Sequence, residues 1–126
     1  MRYLTSWALA LALAAPLAAS ADEPSAAVAA EVAGLLSHLG QSGCRFNRNG
    51  SWYSAAEAQE HLQKKYRYLQ DRKLVSSTES FIERAASRSS ASGQPYLVQC
   101  GNAPPQESAA WLGQALNRRR SNAARP

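Results

Sequence analysis

Glu57, His61 and Lys65 recur every fourth residue. On a helix they would line one edge, an acid, an imidazole and an amine in succession. Such an edge can hold an anion or pass a proton. It can equally be a surface ladder contributing a few tenths of a kcal/mol per pair, ~0.2–0.5. A second set, Ser87, Ser89, Ser90 and Ser92, crowds the end of a predicted helix. One of these hydroxyls could serve as the nucleophile of a hydrolase, with Lys65 or His61 as base. The usual supports are missing: there is no Gly-x-Ser-x-Gly elbow, no Ser-x-x-Lys, and no acid placed to orient His61. A helix C-terminus also repels a developing oxyanion. Ordinary end chemistry, in which serines bond the last free carbonyls or water, accounts for the same residues.

Cys44 and Cys100 can form only one pair, and with them bridged, His38 and His61 leave too few ligands for a zinc site. No cofactor motif is present. Lys64-Lys65-Tyr66-Arg67-Tyr68, followed by Arg72-Lys73, interleaves aromatics with positive charge as single-strand binders do. On a helix, however, those side chains point all round, Tyr66 belongs to an apolar stripe, and Glu57, Glu60 and Asp71 offset the charge. The net charge of +5 has the same character. Arg118, Arg119, Arg120 and Arg125 fall in residues 118–126, which carry no acid, and Arg2 precedes the expected cleavage point; residues 22–117 are balanced. Nucleic acid is a poor partner for such a chain. Residues 118–126 read as a basic, disordered tail that could touch anionic lipid or glycan heads.

The N-terminus sets the expected compartment. Arg2, an unbroken apolar run from Trp7 to Ala15, Pro16, and the small-x-small Ala19-Ser20-Ala21 make residues 1–21 a secretory signal peptide. The run is shorter than the roughly 20 residues a spanning helix needs, so the cleaved chain is expected to be soluble, without a transmembrane anchor, and periplasmic or secreted. No cysteine stands at the cleavage point to take a lipid. Leu, Val, Ile and Phe are scarce after residue 21 and the core must be small. A Cys44–Cys100 disulfide can persist outside the cytosol, and closing that loop is worth about 4 kcal/mol on the chain-entropy account.

Residues 22–117 then form one domain. Val28, Val32, Leu35, Leu36 and Leu39 predict a first helix over about 25–39. Cys44 to Asn47 alternates as a strand, and Asn49-Gly50 suits a tight turn into a very short strand at Ser51-Trp52-Tyr53. Ser54-x-x-Glu57 caps a second helix ending near Gln70, and Ser76-x-x-Glu79 a third. Gly93 and Pro95 force a turn into a strand over Tyr96 to Cys100. Pro104 and Pro105 precede a last helix over about 106–117. One antiparallel register places Cys44 opposite Cys100, Phe46 opposite Val98 and Arg48 opposite Tyr96. The fold class is α+β, about four helices packed on an antiparallel sheet of two to three strands.

Phe46-x-Arg48-Asn49-Gly50, Ala58-x-x-His61-Leu62-x-x-Lys65, Phe81-Ile82 and Ser89-Ser90-x-Ser92-Gly93-x-Pro95-Tyr96 together resemble the YfeK-like family of small secreted bacterial proteins. The likeness runs from the first helix to Trp111-Leu112. It implies a protein of uncharacterised function and carries no active site over. From the residues themselves, the expected role is a non-catalytic envelope binding or accessory module, with a Ser hydrolase as the alternative. Pairing Arg48 with Tyr96 would bring the Asn-Gly turn beside the serine-rich helix end. Arg48, Asn49, His61, Lys65, Ser89, Ser90, Ser92 and Tyr96 are therefore expected on one face. Its cations and hydroxyls around an aromatic suit an anionic or polyhydroxylated envelope ligand, or another envelope protein. The rival account is that they cap turns and hold the fold.

Overall fold

Helix α1 (Ala26–Gln41) starts where the Ser25 side chain accepts the Val28 N–H at 3.2 Å, and it buries Val32, Leu35, Leu36 and Leu39 along one stripe. In the computed structural model, residues 25–125 are described, together with the isolated positions Tyr3, Ala10 and Ala12. The expected leader and its cleavage site otherwise lie outside the described residues. At the end of α1 the Ser42 hydroxyl donates to the Leu39 carbonyl at 2.7 Å. The chain then passes through Gly43 in the left-handed region.

Strands β1 (Arg45–Arg48) and β2 (Ser51–Tyr53) form a hairpin whose two turn residues, Asn49 at φ 53° and Gly50 at φ 84°, both have positive φ. That is the backbone a type I′ turn demands, and it explains the Asn-Gly pair. β1 also pairs antiparallel with β3 (Leu97–Gln99), with Phe46 opposite Val98, which is the register, among those the alternation allows, that sets Cys44 opposite Cys100. Cys44 and Cys100 form a disulfide at the end of this pairing, closing a separation of 56 residues with their Cα atoms 4.4 Å apart. That spacing is typical of a non-hydrogen-bonded cross-strand pair. A fourth strand completes the order β2-β1-β3-β4. β4 (Gln106–Glu107) occupies residues expected to begin the last helix. Pro104 and Pro105 hold the approach extended, and Gln106 and Glu107 find backbone partners opposite Val98 and Leu97.

Helix α2 (Ala55–Asp71) opens with the expected capping box: the Ser54 hydroxyl accepts from the Glu57 N–H, and the Glu57 carboxylate from the Ser54 N–H. Helix α3 (Thr78–Ala85) uses a different box from the one expected. Its cap is Ser77 rather than Ser76, and the third helical residue is Ser80 rather than Glu79. The shift puts Thr78 into the interior, fully buried, where its hydroxyl donates to Glu31 Oε1 at 2.7 Å.

Helix α4 (Ser108–Ala123) buries Trp111, Leu112, Ala115 and Leu116 and continues past Asn117, so residues 118–123 are helical rather than a disordered tail. The reason is tertiary. Arg120 ion-pairs with Glu31 on α1 at 2.8 Å and with Glu79 on α3. Arg119 lies so close over α1 that a Cβ on Gly34 would stand 2.3 Å from its guanidinium carbon. Cationic side chains also suit a helix C-terminus.

The fold is α+β: α1 packs on the other three helices, while α2 and α4 reach the sheet. Phe81, Leu35, Leu39, Leu112, Val32 and Val98 are the largest fully buried apolar side chains. No helix among the described residues is long and apolar enough to cross a membrane.

Candidate functional site

β1 and α2 place the chemistry. Alternation along β1 turns Phe46 inward, buried, and puts Arg48 on the same face two residues on. Tyr53, opposite Phe46 on β2, is then a diagonal neighbour of Arg48. The Arg48 guanidinium lies 4.8 Å over the Tyr53 ring, and its Nη2 donates to the Tyr53 hydroxyl at 3.3 Å. α2 brings His61 and Lys65 to the same place from one edge, both half-buried. Tyr96, buried just before β3, is the meeting point.

Arg48 Nη1 stands 2.8 Å from His61 Nδ1. A guanidinium only donates, so Nδ1 accepts, and the proton of the neutral imidazole sits on Nε2. Nε2 in turn is 3.2 Å from the Tyr96 hydroxyl, to which it donates. Lys65 Nζ donates to the same hydroxyl at 3.1 Å and to the Arg88 carbonyl at 3.3 Å. The Tyr96 oxygen thus accepts twice, and its own proton is left to donate outward.

Burial depresses the His61 pKa, and the charges of Arg48, Lys65 and Lys64 depress it further. Burial, then Arg48, lowers Lys65. Tyr96 is raised by burial, with Arg48 pulling the other way. Neither Arg48 nor Lys65 has a carboxylate partner; the ion pairs among the described residues are Lys64–Glu60 and those of Arg120.

The cluster opens onto a cavity of about 330 Å³. Arg48, His61 and Tyr96 line it, with Phe46, Ala58 and Leu62 as apolar wall and Glu57 among its acids. Tyr53 and Ser108 line it too and were not anticipated from sequence. Strand alternation carried the signal for Tyr53. Ser108 had none, because its position depends on β4.

Of the expected site residues, Arg48, His61, Lys65 and Tyr96 form this one network. Asn49 joins Ser92 beside it, the Ser92 hydroxyl donating to Asn49 Oδ1 and accepting from the Gln94 N–H at 3.2 Å. Ser89 is buried and closes its own loop, its hydroxyl accepting the Ala91 and Ser92 N–H groups at 3.2 and 3.4 Å. Ser90 is exposed and lines a separate depression with Arg84 and Arg88. His61 and Lys65 direct their bonds to Arg48, Tyr96 and Arg88, and no serine is bonded to either. Among the described residues no three of His, Cys, Asp or Glu gather to hold a metal ion.

Fold and site together define a small disulfide-bridged α+β domain with a donor-lined cavity at the junction of sheet and helix. The chain belongs to DUF5329, a family of unknown function, which it matches over residues 26–120. No curated protein and no solved structure matches it.

Proposed function

We propose that this protein is a small exported binding module of the YfeK-like kind, non-catalytic, whose cavity takes an anionic ligand in the cell envelope. One observation carries the reading: Arg48, His61 and Tyr96 line the cavity, bonded to one another and, through the Tyr96 hydroxyl, to Lys65, and among the described residues neither of the two cations has a carboxylate counter-ion. An oxyanion supplies the acceptors such a cluster wants, and partial burial strengthens each charge-assisted bond. The protonation pattern favours binding over catalysis, since the lone pair a general base would use on His61 is taken by Arg48. The apolar run and small-x-small site before Asp22, with the disulfide, support export.

Titrating the protein with inorganic phosphate while following the His61 and Tyr96 side-chain NMR signals tests the site. Saturable shifts, abolished by Arg48→Gln, are expected. Shifts that do not saturate, or that survive Arg48→Gln, would remove the cluster as an anion site. The mass of the exported form checks the compartment: a soluble chain starting at Asp22 is expected, and an uncut chain held in the membrane would refute export.

A further inference from the structure

Resting on the anion-binding reading, we propose that the ligand is a short peptide with both ends free, about two residues long. The cavity has a second pole that a plain anion leaves unused. Glu57 lines it, and only one of its carboxylate oxygens is engaged, accepting from the Ser54 N–H at 3.2 Å. Among the described residues Glu57 has no ion-pair partner, whereas the neighbouring Glu60 is paired with Lys64 at 3.4 Å. Once that pair is set aside, the charged side chains lining the cavity are Arg48, bonded to His61, and Glu57, one helical turn before His61 on α2.

The spacing fits a peptide. Glu57 and His61 are one helical turn apart on the same edge of α2, which separates their side-chain origins by about 5–6 Å. Two residues of extended chain reach at most about 7 Å, so a free ammonium at Glu57 and a free carboxylate at the Arg48–His61–Tyr96 donors can be satisfied together. Between the poles, Phe46, Ala58 and Leu62 offer an apolar wall for small side chains. At about 330 Å³ the cavity admits a ligand of that size.

Calorimetric titration of the protein with Ala-Ala, N-acetyl-Ala-Ala and Ala-Ala amide tests this, with inorganic phosphate and phosphoethanolamine as comparison ligands. Ala-Ala is expected to bind best. Amidation should weaken it about tenfold or more, the loss of a charge-assisted pair, and acetylation roughly three- to fivefold, the worth of a more exposed one. Glu57→Gln keeps an acceptor for the Ser54 N–H, so α2 stays capped, and should erase the difference between the free and acetylated peptides alone. Equal binding of Ala-Ala and its acetylated form would overturn the peptide while leaving the anion site standing. So would phosphoethanolamine binding more tightly than Ala-Ala. If neither phosphate nor any peptide binds, both readings fall.

Discussion

Among the described residues, two buried polar side-chain atoms have no hydrogen-bond partner, the Tyr66 hydroxyl and His38 Nε2. Tyr66 also packs edge-on against Phe81, ring centroids 5.3 Å apart. The ring contributes to packing, and the unpaired hydroxyl works against it, a group of this kind costing about 1–3 kcal/mol when buried. Tyr66→Phe keeps the ring contact and removes the orphan, so it should leave stability unchanged or raise it by up to about 1 kcal/mol. Phe81→Ala should cost about 3–5 kcal/mol, because Phe81 is fully exclude from solvent and its loss leaves a cavity. Urea denaturation of the two variants reads both values. Tyr96 is the opposite case, a buried tyrosine whose hydroxyl accepts from two neighbours.

At the scale of elements, the caps give the sharpest contrast. Ser77, not Ser76, holds the start of α3. Ser77→Ala should therefore cost about 1 kcal/mol and Ser76→Ala close to nothing, measured side by side by thermal melting. The far end of α4 depends on Arg120, whose bonds to Glu31 and Glu79 cross to two other helices. Hydrogen bonds from Arg120 and Thr78 hold the Glu31 carboxyl down to about 2 from 4.5. A carboxylate whose folded pKa is depressed binds its proton more readily in the unfolded chain. Its contribution is complete above about 4.5 and is lost as pH falls towards about 2. Stability should therefore drop across that window in wild type and drop less in Glu31→Gln. The pair is partly exposed, so added salt should narrow the difference. Hydrogen exchange across residues 118–123 should speed up in Arg120→Met, which keeps the aliphatic stem and removes the charge.

For the molecule as a whole, the disulfide is the main covalent restraint on a domain with a thin apolar core. It ties the end of β3 to the start of β1 and closes a separation of 56 residues, worth about 4 kcal/mol through the unfolded state. Reduction should lower the melting temperature markedly, and a Cys44→Ala, Cys100→Ala double variant should match the reduced protein. An equal melt for oxidised and reduced forms would show that the staple adds nothing to the native packing. The same bridge anchors the start of β1 at Cys44, four residues from Arg48, so its loss should also weaken phosphate binding.

Local rules determined much of this protein directly from its residues. The apolar stripe of α1, the Ser54–Glu57 box, the Asn49-Gly50 turn and the alternation of β1 act within a few residues, and of the registers that alternation allows, the one setting Cys44 opposite Cys100 puts Phe46 opposite Val98, as observed. The residues put Arg48, Asn49, His61, Lys65, Ser89, Ser90, Ser92 and Tyr96 on one expected face, and Arg48, His61, Lys65 and Tyr96 are the four that bond in one network. Tertiary structure decided the rest, because the deciding partners are far away along the chain. Thr78 selects the α3 cap by reaching Glu31, 47 residues distant, and Arg120 extends α4 by reaching the same acid across 89. β4 exists only because the edge of β3 offers it hydrogen bonds. The serines separate for the same reason: Ser89 turns into its own loop and Ser92 bonds Asn49, so Arg48, His61 and Tyr96 line the cavity without them. Residue types limit which bonds can form. Which of them do form depends on the backbone groups and side chains that the whole fold brings within reach.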